Sequence, residues 1–126
     1  MKNCLFVGIG GGIGAIFRYL LSNITIRSDF PVITLVTNFI GAILIGCIVG
    51  IATQYPNIDN SIILFFKTGL CGGFTTFSTF SLETVTLIEK NKILLVSSYI
   101  FVSVTICLIG VYVGKIITLF ICNNLC

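Results

Sequence analysis

Residues 71–83 read CGGFTTFSTFSLE, a polar run lying where a membrane-spanning segment should be. It holds two adjacent glycines, five hydroxyl side chains, three evenly spaced phenylalanines and an acid. On both sides the chain is strongly apolar: mean hydropathy is +1.15, and 9% of the 126 residues are charged. Globular domains carry about 25% charged residues, so the chain reads as one membrane-embedded unit rather than a soluble domain or a string of domains. The fold therefore turns on how this polar run fits into a bilayer.

Spanning a hydrocarbon core takes about 20 apolar residues. Four stretches reach that length, at roughly 4–22, 32–54, 61–88 and 93–121. Short polar breaks separate them: SNITIRSDFP, QYPNIDNS and EKNK. Met1-Lys2-Asn3 before an apolar run is like the start of a signal peptide. No small-residue cleavage site follows, however, and Arg18 falls within the same segment, so the segment reads as a retained first helix.

Orientation in the membrane follows the Lys and Arg content of short loops. Lys2, Lys67 and Lys115 belong to one side, and Arg18, Arg27, Lys90 and Lys92 to the other. This near parity gives no orientation signal and makes insertion in both directions, and an antiparallel pair of chains, plausible. The scattered net charge of +3 contains no basic cluster that would suggest nucleic acid. Histidine is absent, which removes the usual general base and metal ligand. The six cysteines are far apart with no C-x-x-C, and read as small apolar filler in helices. Cys122 and Cys126, without further ligands, do not make a metal site.

Helices in lipid associate through small residues and side-chain hydrogen bonds. Gly10, Gly14 and Arg18 share one line on the first span, Asn38, Ala42, Gly46 and Gly50 one on the second, and Tyr99, Ser103, Cys107, Gly110 and Gly114 one face of the fourth. Helix packing explains the glycines. It leaves Asn38 open, because a buried amide needs partners for both its ends. Residues 10–15, GGGIGA, match a dinucleotide-binding fingerprint, but they lie inside an apolar span with no preceding strand, which excludes that reading.

In the third span, Gly72-Gly73 is the expected break. Non-helical backbone at membrane depth is tolerated only in a protein interior or along an aqueous cavity, and freed carbonyls there suit a cation. Beyond the break Phe77 and Phe80 share a face, Thr76, Thr79 and Glu83 another, and Ser78 and Ser81 a third. Any single hydroxyl is explained by bonding back to its own helix, whereas seven between Thr75 and Thr86 are many. Glu83 is an intramembrane acid or an interfacial, solvated one. Hydroxyl and amide donors, with the positive edges of phenyl rings, modestly favour a small anion without naming it.

GGIGAIFRY (11–19), TLVTNFIGAILIG (34–46), GLCGGFTTFSTFSLE (69–83) and YIFVSVTICLIGVYVG (99–114) together resemble the CrcB/Fluc fluoride channels, in order and across all four spans. The third motif carries most of the specificity. The resemblance implies an all-α membrane protein with four transmembrane helices, the third broken mid-membrane, acting as an antiparallel, dual-topology homodimer in a bacterial cell membrane. Its two pores would pass fluoride passively out of the cell. By the motif match, Phe77 and Phe80 would line the pores with Asn38, Ser78, Thr79, Tyr99 and Ser103. Glu83 would lie towards one pore end and Arg18 near a vestibule. A structural Na⁺ would sit on the dimer axis, held by the Gly72 and Thr75 carbonyls of both subunits. The C-terminal ICNNLC has no part in the pattern and is expected to be a frayed end.

The alternative from another class is a small dual-topology multidrug exporter. Such a pump needs an acid in its first span and an aromatic site, usually with Trp; here the first span carries Arg18 and tryptophan is absent. An enzyme would need a base paired with a nucleophile, which the residues do not offer.

Overall fold

The computed structural model describes residues 1–125, with side chains through Asn124, and no strand occurs among them. In hydrocarbon every backbone polar group must be satisfied within its own segment, and the chain answers with helices. These are α1 (Lys2–Ser22), α2 (Val32–Gln54), α3 (Asn60–Leu64), a π-helical segment Phe65–Cys71, α4 (Gly72–Phe74), α5 (Phe77–Glu89) and α6 (Ile93–Leu125). Four stretches are long and apolar enough to cross a membrane: Lys2–Ser22, Val32–Gln54, Asn60–Glu89 and Ile93–Asn124. The protein is thus a multi-pass membrane protein whose third span is composite.

Local chemistry sets the span ends. Asp59 caps α3, its Oδ1 accepting from the Ser61 N–H at 2.8 Å. The turn between α5 and α6 closes with Asn91 in the left-handed region, φ 55°, a conformation asparagine tolerates after a helix. Its N–H donates to the Ile88 carbonyl and that of Lys92 to Leu87.

The spans associate in two close pairs, α2 with α6 and α1 with the upstream part of the third span. Both pairings depend on absent side chains. A Cβ on Gly46 would collide with the Val111 carbonyl of α6, and one on Gly14 with the Leu70 carbonyl of the π segment. A small core of Phe80, Leu87, Val96 and Tyr99, backed by Phe30 and Leu35, joins α5 to α6 and the start of α2.

Two expectations change. Gly72 and Gly73 do not break the third span: Gly72 has φ −65° and ψ −37°, ordinary helix. Gly73 is there for close approach, since a Cβ would collide with the Gly11 carbonyl of α1. The break falls at Thr75 (φ −80°, ψ 158°) and Thr76 (φ −149°, ψ 120°), both extended. At the C-terminus, α6 continues through Leu125 instead of fraying. Gln54 Nε2 donates to Asn123 Oδ1 at 2.9 Å and Asn124 Nδ2 to the Phe120 carbonyl at 2.8 Å, tying that end down. Cys126 lies outside the described residues.

Candidate functional site

At the break a short extended segment needs partners for backbone groups that a helix would have satisfied. Asn38, midway along α2, supplies them. Its Nδ2 donates to the Thr76 carbonyl at 3.0 Å and its Oδ1 accepts from the Thr76 N–H at 2.8 Å. Both ends of the amide are used, which answers why an asparagine sits in an apolar span. The Thr76 hydroxyl then caps α5, accepting from the Thr79 N–H at 3.1 Å, and donates to Thr79 Oγ1 at 3.0 Å. Ser78 Oγ lies 3.1 Å from the same hydroxyl. On the other side of the break Arg18 Nε donates to the Gly73 carbonyl at 3.1 Å.

Much of the hydroxyl run is locally satisfied. Thr75, Ser81, Thr84 and Thr86 each donate to the carbonyl four residues earlier. Nearly two turns into α5, Glu83 accepts from two hydroxyls: Oε1 from Thr34 Oγ1 and Oε2 from Tyr99 Oη, both at 2.7 Å. It is half-buried, and its carboxylate is bound to α2 and α6 rather than left to solvent. Tyr99, fully buried, has a single O–H proton and gives it to Glu83.

An aromatic row leads inward from the break. Phe77 and Phe80 have centroids 5.5 Å apart, Phe80 and Tyr99 5.0 Å, and Tyr99 meets Phe30 edge-on at 5.4 Å. Phe80 is buried while Phe77 is 79% exposed, so the row runs from the core to an open face.

That face is an open cavity of about 540 Å³ between α2, the third span and α6. Among the residues expected from the sequence, Asn38, Phe77, Phe80 and Ser103 line it, as do Gly72 and Thr75. Ser78, Thr79, Glu83, Tyr99 and Arg18 lie outside its lining. Ser103 is buried, and its Oγ has no hydrogen-bond partner among the described residues. A buried hydroxyl without a partner is unfavourable by about 1–3 kcal/mol, so Ser103 is a donor in want of an acceptor.

The break also leaves acceptors free. No hydrogen bond across it reaches the Gly72 or Thr75 carbonyl among the described residues. Nothing lies within 4 Å of where a Gly72 Cβ would be. Among the described residues no group of three His, Cys, Asp or Glu could hold a metal. The donors the break offers to a cation are carbonyl oxygens, which suit a hard ion.

Thr34 was not singled out from the sequence, and Thr76 was placed only on a face with Thr79 and Glu83. Thr34 lies one turn before Asn38, so extending the small and polar line of α2 backwards finds it. Thr76, a hydroxyl three residues before another at the start of a helix, carries a helix-capping pattern. Away from the membrane interior, Lys2 Nζ meets Asp59 Oδ2 at 2.7 Å and Lys92 Nζ meets Asp29 Oδ2 at 2.7 Å. The Lys2 ammonium, with the Ser61 N–H, holds the Asp59 carboxyl down to about 2.

Comparison with known proteins places the chain among relatives. The family described as CrcB-like protein, Camphor Resistance, matches residues 5–115. A protein of Methanococcus aeolicus named fluoride-specific ion channel FluC is 43% identical over 120 residues, covering 94% of this chain and 97% of its own. Proteins of the same name from Flavobacterium psychrophilum (39% over 120 residues, 93% and 97%) and Azobacteroides pseudotrichonymphae (38% over 123 residues, 95% and 98%) are similar over the same extent.

Proposed function

This chain belongs to the CrcB family, and from that premise we propose that it is a passive channel that lets fluoride leave the cell. The carrying observation is the near full-length similarity to relatives named for that activity. The cavity supplies physical means. A small anion moving along it would find the unpartnered Ser103 hydroxyl, the remaining Asn38 amide hydrogen and the edges of Phe77 and Phe80. Donors and ring edges stabilise an anion without the fixed positive partner that would slow its release. Glu83 in this arrangement is a fixed acceptor that orients Thr34 and Tyr99.

The working unit we propose is an antiparallel, dual-topology homodimer with two pores. The balanced Lys and Arg distribution supports it, as do the exposed glycines Gly8, Gly12 and Gly72, at each of which a Cβ would meet no other packed element within 4 Å. A single chain also leaves the Phe77 ring open. The Gly72 and Thr75 carbonyls of the two copies would hold a Na⁺, which would place positive charge at mid-membrane and tie the copies together.

Ion efflux from liposomes containing the purified protein tests the reading. Fast, voltage-dependent fluoride flux with chloride excluded is expected; flux that needs a proton gradient and an organic cation would overturn it and favour an exporter. Dialysis into sodium-free medium should lower flux or dimer stability, and indifference to Na⁺ would remove the sodium site.

A further inference from the structure

We infer that Lys67 is the recruiting cation of this channel: its ammonium concentrates the permeant anion in the open cavity that Ser103 also lines. The inference rests on the channel reading and deepens it.

Lys67 lies in the π segment of the third span. From Asn60 the helix has risen about 10 Å by that point, which is well inside the span. An intramembrane lysine persists where it meets a counter-charge or water. No described acid forms an ion pair with it. The ion pairs among the described residues are Lys2–Asp59 and Lys92–Asp29. Glu83 has both oxygens taken by Thr34 and Tyr99, and Glu89 ends α5 towards the other side of the membrane. Lys67 itself lines the open cavity, and it is the one charged side chain described there.

The opposite face of the same segment explains the direction in which Lys67 points. Gly69, two residues on, packs against the Gly10 backbone of α1. Residues two apart on a helix face away from each other, so Lys67 is turned from α1 towards the cavity. Ser103 then gives an independent sign of a ligand: its hydroxyl is over nine-tenths buried, lines the same cavity and has no partner among the described residues. An exposed cation and a buried unsatisfied donor on one cavity form a path for a small anion.

The chemistry suits recruitment more than tight binding. An ammonium is a compact, well-hydrated charge on a flexible stem, and Lys67 is exposed where it lines the cavity. It raises local anion concentration through its field, while release stays easy because water shares the site. Fields of this kind enhance encounter by about tenfold or more at low ionic strength and fade as salt screens them.

The test is fluoride flux from proteoliposomes, measured over a range of fluoride concentrations for the wild type, Lys67→Gln, Lys67→Arg and Lys115→Gln. Lys115 is exposed on α6 and does not line the cavity, so it controls for net charge. Lys67→Gln should lose about three- to tenfold of the flux at low fluoride and converge on wild type at high fluoride. Lys67→Arg and Lys115→Gln should follow wild type. Raising ionic strength from about 0.01 M to about 1 M with an impermeant salt shortens the Debye length from about 30 Å to about 3 Å. That change should reduce wild-type flux at low fluoride and leave Lys67→Gln flat. Equal flux for Lys67→Gln and wild type at low fluoride overturns the inference, as does a loss uniform across concentrations or an equal loss in Lys115→Gln. If Lys67→Gln does not fold, wild-type flux indifferent to salt overturns it. Absence of fluoride flux in the wild type would instead overturn the channel reading itself.

Discussion

The two halves of the third span are held by different forces. Upstream of the break, the π segment and α4 lie against α1 backbone to backbone: Gly10, Gly14 and Gly73 leave no room for a Cβ. Downstream, α5 makes few close backbone approaches. Asn38 grips its first turn, Glu83 ties it to Thr34 and Tyr99, and Phe80 packs on Tyr99. Close packing of backbone is stiff and insensitive to what fills the cavity. A handful of polar bonds and ring contacts is adjustable, and it is this half that presents Phe77 and Phe80 to the cavity. The upstream half is a stiff scaffold that also carries Lys67 on its cavity side, and the downstream half is the adjustable part of the wall.

The largest effect should come from breaking the scaffold. Gly14→Val puts a branched side chain against the Leu70 carbonyl, which cannot step aside, and should destabilise by about 3 kcal/mol or more, seen as loss of folded protein in detergent. Gly12→Ala, with nothing within 4 Å, should fold normally. Equal tolerance at both positions would mean that close backbone contact with α1 does not hold the upstream half.

Asn38→Leu comes next. It keeps the volume but strands the Thr76 N–H and C=O, and buried groups left unpaired are unfavourable by about 1–3 kcal/mol each. Thermal denaturation should show a loss of about 2–5 kcal/mol, with flux falling more than tenfold. A stable, conducting Asn38→Leu would mean that the amide does not hold the break.

Phe80→Leu should leave a folded protein, losing about 1 kcal/mol from the ring pair with Tyr99, while flux is suppressed. Unchanged flux would show that the wall does not act through ring edges. Glu83→Gln keeps one acceptor and turns the other into a donor that faces a hydroxyl, for a loss of about 1–2 kcal/mol. A pronounced collapse of the fold instead would move Glu83 from the wall to the scaffold.

The smallest effect is at the rim. The Asp59 carboxyl is held at about 2 by Lys2 and the Ser61 N–H. A depressed carboxyl contributes stability that is full above the ordinary carboxylate value and is lost as pH falls through about 2. Asp59→Asn should therefore unfold like wild type below that pH and differ slightly above it, because the pair is exposed. A large difference at neutral pH would make this cap part of the scaffold.

Hydropathy made the four spans legible, because each must be apolar over the thickness of a bilayer. The lines of glycine on α1 and α2 were legible for the same reason: close helix approach leaves a regular trace of small residues. Gly72-Gly73 misled on the place of the break because glycine permits both irregular backbone and close packing. Only the position of the Gly11 carbonyl decides between them. The π segment was invisible, since nothing in FFKTGLC distinguishes a wide turn from an ordinary one.

For the run that opens at Cys71, composition established that something polar is needed in mid-membrane and that Asn38 lacks an explanation within its own helix. Tertiary structure decided the rest: Asn38 with Thr76, Glu83 with Thr34 and Tyr99, and Ser103 with no partner among the described residues. Periodicity records which face a residue occupies on its own helix. It carries no record of how far that helix slides or turns against its neighbours, and hydrogen bonds between spans depend on that placement to within a fraction of an ångström.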